Sequence, residues 1–288
     1  MREFVPQKAK LSQTLAKAAV SEKPFRFLAN NLAQAAIGAW AEASTLTIED
    51  VKVYLKRLPK ELDGFRIVHL SDIHHSAFTN LEHITRTVEI ANKLKPDMFI
   101  LTGDYVSHGT EFIAPMAKVM GKLVSEFGTF ACLGNHDHWS DAELVTNCLR
   151  DEGVSVLINE GFRFKARGAS FWLCGVDDLM VGKTDLREAL MGADVDEMKI
   201  LLAHNPAIIR RAAWVGVDFM LSGHTHGGQI RLRPTQEGLI MPRNRRISGL
   251  HRRKETQIYV TRGIGTVVVP VRYQCPPEIS LIELRTTV

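Results

Sequence analysis

Three short apolar runs mark the first half of the chain, and each ends in a cluster of polar residues. Residues 65–70 (FRIVHL) lead into Ser71-Asp72-Ile73-His74, residues 98–101 (MFIL) into Thr102-Gly103-Asp104, and residues 129–133 (TFACL) into Gly134-Asn135-His136-Asp137. The runs have strand length, and helical stretches separate them. Thr79 with Glu82, and Ser140 with Glu143, have capping-box spacing and predict helix starts after the first and third runs. Lys95-Pro96-Asp97 predicts where the first of those helices stops.

The intervals between polar clusters are regular. Asp72 and Asp104 are 32 residues apart, and Asp104 and Asn135 are 31 apart, about one βαβ unit each. Right-handed crossovers place the C-terminal ends of successive parallel strands along one sheet edge, where ligands of open α/β sheets bind. Topology alone therefore brings the three clusters together.

The second half changes character. Residues 154–157, 163–165 and 171–176 predict consecutive strands without helices between them. Residues 199–204 (KILLAH) and 218–224 (DFMLSGH) resume the strand-then-polar pattern, with Asn205-Pro206 as N-cap and first helical residue. Residues 258–261 and 279–284 predict closing strands. The expected fold is α/β, two packed β-sheets flanked by helices, in one domain over residues 61–288. Residues 1–60 are expected to form a basic, amphipathic helical arm, with its helix over residues 11–43 broken near Pro24.

Composition adds limits. An apolar fraction of 45% and a charged fraction of 24% suit a globular chain. The net charge of +4 is unevenly spread. Lys8, Lys10, Lys17, Lys23 and Arg26 load the N-terminus. Arg231, Arg233, Arg243, Arg245, Arg246, Arg252, Arg253 and Lys254 load a late segment whose one acid is Glu237. Such clustering fits an anionic partner or surface, and peripheral association with an anionic membrane is an expectation. Cys132, Cys148, Cys174 and Cys275 form no CxxC pair, so neither a disulfide framework nor a zinc knuckle is expected. The most apolar stretch, residues 32–46, is interrupted by Gln34 and Glu42 and falls short of the ~18 residues a span needs. With no signal-peptide pattern at the N-terminus, a cytoplasmic protein without a transmembrane span is expected.

Seven side chains at predicted strand ends carry the chemistry: Asp72, His74, Asp104, Asn135, His204, His224 and His226. A mixed oxygen and nitrogen set without thiolate suits Mn, Fe, Zn or Ni. Asp104 carries a charge suited to bridging two divalent ions. His69, inside an apolar run, is expected in the core, and His83 on an exposed helix face.

In order, DIH, GDYV, GNHD, AHNP and GHTHGG make this chain similar to the calcineurin-like metallophosphoesterase superfamily over residues 65–284. HLSDIH, GHTHGGQ (223–229), TRGIG (261–265) and RYQCPPEISLIEL (272–284) most resemble its bacterial YaeI/YkuE-like phosphodiesterase branch. The resemblance implies a four-layer sandwich and a two-metal site. Asp72, His74 and His226 would hold one ion, Asn135, His204 and His224 the other, and Asp104 would bridge. His136 would act on the phosphoryl group as proton donor or charge stabiliser, with Asp137 supporting ligands. A metal-bridging hydroxide would attack phosphorus in line. The phosphoprotein phosphatase pattern GDxVDRG is absent, since GDYVSH stands in its place. The implied substrate is a phosphodiester or phosphoanhydride on a lipid-linked or nucleotide headgroup, as in a related branch that cleaves UDP-2,3-diacylglucosamine. A nuclease is the second enzyme reading, but residues 243–254 hold none of the Phe, Tyr or Trp that would stack bases, so nucleic acid is not the expected partner. A metal-binding scaffold without catalysis is the third.

Overall fold

The computed structural model describes residues 34–231 and 248–287. Its strands are β1 (Thr47–Leu55), β2 (Phe65–Leu70), β3 (Met98–Thr102), β4 (Thr129–Cys132), β5 (Ser155–Val156), β6 (Glu160–Ala166), β7 (Ala169–Gly175), β8 (Lys199–Leu202), β9 (Phe219–Ser222), β10 (Gly249–Arg253), β11 (Thr256–Val260) and β12 (Glu278–Thr286). They form two six-stranded sheets, ordered β1-β12-β2-β3-β4-β5 and β10-β11-β9-β8-β7-β6. β2 to β5 run parallel, as do β7, β8, β9 and β11. β12 lies antiparallel to β2, and each of the outer strands β10 and β6 lies antiparallel to its neighbour.

The alternation of side chains along these strands sorts them into three apolar layers. Phe65, Ile67, Met98 and Ile100 meet Phe171, Leu173, Ile200, Leu202, Phe219 and Leu221 between the two sheets. Val68, Leu70, Phe99 and Leu101 face the other way, under the helices Leu81–Lys93, Ile113–Met120 and Ala142–Asp151. Leu201, Met220, Ile258 and Val260 pack beneath the helices Leu186–Ala189 and Ile209–Trp214. The expected arrangement of two packed sheets with helices outside is therefore the observed one. All four cysteines are free, and no helix among the described residues is long and apolar enough to cross a membrane.

Local details differ from the sequence expectations. Asn80 caps the helix Leu81–Lys93, its side chain accepting from the His83 amide, so the Thr79/Glu82 capping box does not form. Asp141, not Ser140, caps Ala142–Asp151 by accepting from the Leu144 amide. In both places the helix starts one residue later than predicted, and the residue after the expected cap accepts the first-turn amide. Asn205 does cap, with Pro206 at the first helical position.

The domain boundary also moves. Residues 47–60, assigned to the arm, belong to the domain, because β1 pairs with β12 along nine residues from Thr47↔Glu278 to Leu55↔Thr286. β1 is an edge strand in which only Val53 and Leu55 are buried, so no apolar run announces it. β10 (GLHRR) escaped for a related reason: it is a sheet edge, where charge is tolerated and blocks unwanted pairing. Of the expected arm helix, residues 34–42 are helical; the remainder lies outside the described residues.

Ile282 is fully buried between the sheets. Ile282→Ala should lower unfolding free energy by about 2–5 kcal/mol. Lys52→Ala, on the exposed face of β1, should change it by less than about 0.5 kcal/mol. Denaturant titration checks both.

Candidate metal centre

Asp72 and His74 follow β2, Asp104 follows β3, Asn135 follows β4, His204 follows β8, and His224 and His226 follow β9. The two sheets thus supply one cluster from neighbouring C-terminal edges. The chain must turn sharply at each strand end, and φ is positive at Asp72 (52°), His74 (50°), Asp104 (56°), His224 (70°) and His226 (50°). Non-glycine residues rarely adopt this conformation, and five together signal strain held in place by a surrounding framework.

Hydrogen bonds between loops supply that framework. The Asp72 amide donates to Gly103 O at 3.0 Å, and the His74 amide to Asp104 O at 3.0 Å. The buried Asp137 carboxylate accepts the amides of Gly134 at 2.8 Å, Asp104 at 2.9 Å and Tyr105 at 2.8 Å. Glycine is obligatory at the tightest points. A Cβ on Gly134 would lie 2.2 Å from Asp104 Oδ1, and one on Gly223 would lie 1.9 Å from Ser71 Oγ.

The cluster's side chains form a continuous series of contacts. Asp72 Oδ1 lies 3.3 Å from His226 Nε2, which lies 3.1 Å from His74 Nε2. His74 Nε2 lies 3.5 Å from Asp104 Oδ2, and Asp104 Oδ2 lies 3.1 Å from His204 Nε2. His204 Nε2 in turn faces His224 Nδ1 at 3.2 Å. Two triads, Asp72/His74/His226 and Asp104/His204/His224, and a third group that overlaps them, His74/Asp104/His136, each have ligand atoms within 4.8 Å of one another. All seven residues are buried except half-buried His224 and His136.

The donor set fits metal. His204 Nδ1 lies 2.7 Å from Thr102 O; a carbonyl only accepts, so Nδ1 carries a hydrogen, and Nε2 is the nitrogen that would offer a lone pair to the cluster once deprotonated. Facing imidazole nitrogens need a proton or a cation between them. Asn135 Oδ1 is buried without a hydrogen-bond partner, an arrangement a cation would satisfy.

Electrostatics point the same way. Burial alone would raise the Asp104 carboxyl, yet His204 and His74 hold it well below the usual carboxylate range. Burial disfavours charge on His204, but Asp104 outweighs this and pushes it up to about 10. Burial, then His74 and Arg272, holds His226 well below the ordinary imidazole value. Burial and His204 lower His224. Without metal, His204 holds its proton firmly beside the central carboxylate. Burial and Asp104 push Asp137 up to about 7, against the amides that favour its anion.

His136 sits on the rim. Its amide donates to Asp104 Oδ1 at 2.8 Å, and its Nδ1 lies 2.9 Å from Ser107 O. Its ring packs edge-on against His74 and Trp139, both at 4.7 Å. Donation to the carbonyl leaves Nε2 free, and burial lowers its proton affinity. His69 is buried as expected, its Nε2 2.8 Å from Thr102 Oγ1. His83 is not on an exposed face: it is half-buried with Nε2 inaccessible, because its helix packs near Arg272.

The described cations of the late basic segment lie at two ends of the sheet. Arg231 lies at the metal edge, its Nε donating to Gly227 O. Arg252, Arg253 and Lys254 lie at the β10–β11 turn, the opposite end of the sheet, where Lys254 covers the Trp214 ring. Residues 232–247 lie outside the described set, as do the N-terminal lysines.

Sequence reasoning missed several supporting residues. Arg272 is fully buried and donates to the carbonyls of Arg262, Gly263, Gly265 and Cys275. Gln229 clamps residues 267–269 through its amide group. Asp177 pairs with His138 beside the rim. The arginine stood inside a quoted motif, but no residue pattern distinguishes a buried guanidinium from an exposed one.

Residues 65–228 match the calcineurin-like phosphoesterase family. YkuE of Bacillus subtilis, an uncharacterized metallophosphoesterase, is 33% identical over 236 residues, 80% of this chain and 82% of that protein. Phosphodiesterase YaeI of Escherichia coli is 33% identical over 228 residues, 76% and 82% respectively. A Danio rerio transmembrane protein with a metallophosphoesterase domain is 31% identical over 252 residues, covering 83% of this chain and 57% of that protein. Among solved structures, the NAD nucleotidase of Haemophilus influenzae aligns with a TM-score of 0.46 at 15% identity, covering 69% of this chain and 45% of that one. Motif order, the converging Asp/His cluster and full-domain relatives agree: the chain belongs to the calcineurin-like phosphoesterase family and is a metal-dependent phosphoesterase.

Proposed function

We propose that this protein hydrolyses phosphodiester or phosphoanhydride bonds at a centre for two divalent ions, on a lipid-linked or nucleotide headgroup such as that of UDP-2,3-diacylglucosamine. The observation that carries this reading is the central position of Asp104, whose Oδ2 faces both His74 Nε2 and His204 Nε2. In this reading Asp72, His74 and His226 hold one ion, Asn135, His204 and His224 the other, and Asp104 touches both. When bound, such a pair (Mn, Fe, Zn or Ni) supplies a nucleophile from water at neutral pH and neutralises charge on phosphoryl oxygens.

The chain's own residues do the rest. The positive-φ loops hold the donors in place before any ion arrives, so little reorganisation remains. His136 Nε2, held by the Nδ1 contact to Ser107 O, faces the rim where a phosphoryl group would sit. Negative charge developing on the leaving oxygen favours the protonated ring that burial disfavours, and the proton passes to that oxygen. One relative supports the diester: YaeI of Escherichia coli is called a phosphodiesterase. Peripheral association with an anionic membrane belongs to the same reading.

His136→Ala should keep both ions yet lose about 10²–10⁴-fold in kcat; metal analysis beside diester kinetics checks this, and parallel loss of metal would make His136 a ligand. Stripped protein should be inactive, with Mn²⁺ restoring turnover. The raised proton affinity of His204 means metal must displace a proton, so affinity should rise with pH and binding at pH 7.5 should release protons to the buffer. Calorimetry in buffers of different ionisation enthalpy measures their number. Asp104→Asn, which removes the charge shared by both triads, should abolish tight binding of both ions.

A further inference from the structure

The second sheet carries a wide groove on its outer face, at the end away from the metal ligands. It lies between the helices Leu186–Ala189 and Ile209–Trp214, where β8 and β9 begin, and its volume is about 1060 Å³. Leu186, Leu190, Ala193, Val195, Trp214 and Val215 form its apolar walls. Trp214 is 81% exposed and Val195 85%. Five lining residues are cations, and none is acidic.

Two of the five cations are engaged within the fold, and they stiffen the groove. Arg57 pairs with Asp218 at 2.8 Å and donates from Nη1 to Val195 O at 2.6 Å. Lys199 Nζ donates to the carbonyls of Asp194, Val195 and Glu197. Both cations thus hold the loop on which Val195 stands in water. The acids of that loop, Asp194 and Glu197, are taken by Arg163, each at 2.7 Å. Arg187, Arg210 and Arg211 remain, exposed and without an ion pair among the described residues. Lys254 Nζ adds a positive charge 5.0 Å from the centre of the Trp214 ring. Apolar walls held in water beside unpaired cations mark a surface built for a partner.

We propose that this groove docks an acidic, amphipathic helix of a partner protein. A small ligand sits in a pocket of about 300–1,000 Å³ that covers most of its surface. This groove is at least as large, and its most exposed walls stand in water, as suits a segment lying across the surface. β7, β8 and β9 are each paired on both sides, so an added strand finds no free edge, and the apolar face of a helix is the segment that fits. Acids flanking that face meet Arg187, Arg210 and Arg211. Charge excludes the chain's own remaining segments: residues 1–33 hold six cations against Glu3 and Glu22, and residues 232–247 four against Glu237. A symmetric contact with a second copy would set the same arginines against each other. One aromatic wall among five aliphatic ones does not suit single-stranded nucleic acid, which stacks on successive rings.

The test is fluorescence anisotropy of the full-length, metal-loaded protein with a labelled synthetic helix carrying Leu at i, i+3, i+4 and i+7 and Glu elsewhere. A second helix has the same apolar face with Lys in place of Glu. The acidic helix should bind about tenfold or more tightly than the basic one, and its binding should weaken as salt rises. Combined Arg187→Gln, Arg210→Gln and Arg211→Gln should weaken it about tenfold, as should Val195→Ser with Trp214→Ser. Turnover of a soluble chromogenic diester should be unchanged in both variants. Combined Arg187→Glu, Arg210→Glu and Arg211→Glu should transfer the preference to the basic helix, a gain that misfolding does not produce. No binding by wild type, equal affinity for the two helices, or equal binding by wild type and the variants would overturn the proposal. Binding of anionic vesicles or single-stranded DNA through these arginines, without binding of the acidic helix, would do the same.

Discussion

The Asp137 carboxylate makes the interaction on which the Asp/His cluster depends. It gathers the amides of Gly134, Asp104 and Tyr105, and so joins the loop after β4 to the loop after β3. Those amides point inward where the chain leaves its strands, and a buried amide without an acceptor is costly. One acidic side chain satisfies three of them at once. Asp104 is thereby held at positive φ with its carboxylate between the two triads, and its other oxygen receives the His136 amide. The central donor and the rim histidine are positioned by one clamp.

Much of this was legible in the sequence because the strands that matter are apolar on both faces. β2, β3, β8 and β9 lie between layers, so their runs stand out, and the polar clusters mark their ends. What escaped lies at edges. β1 buries only Val53 and Leu55, and β10 carries His251, Arg252 and Arg253, so tertiary pairing rather than local pattern makes them strands. The displaced helix caps have a similar origin: Asn80 and Asp141 stand one residue from equally plausible acceptors, and only the path of the chain selects between them.

The candidate ligands were legible as chemistry, but their supports were not. Nothing local marks Arg272 as a buried guanidinium serving backbone carbonyls, or Gln229 as a clamp on residues 267–269. Both act through main-chain atoms, whose positions depend on the whole fold. The placement of the described cations in the basic segment was hidden for the same reason. Arg231 and Arg252 are close in sequence, yet they sit at opposite ends of a sheet because β10 runs the length of its edge.

The meeting of the two sheets sets the last constraint. Asp72 belongs to the first sheet and His224 to the second, and the His224 amide donates to Asp72 Oδ1 at 3.0 Å. Gly223 lies at that junction, where a side chain would strike Ser71 and Asp72. Any residue with a Cβ would push the sheets apart at the point where the ligand sets must meet. Separation by even an ångström would spoil donor distances that metals hold to within about 0.2 Å. The aromatic and aliphatic core between the sheets therefore bears on the candidate site. It fixes the spacing of two layers whose edges, brought close by a glycine, together make a centre that neither sheet could build alone.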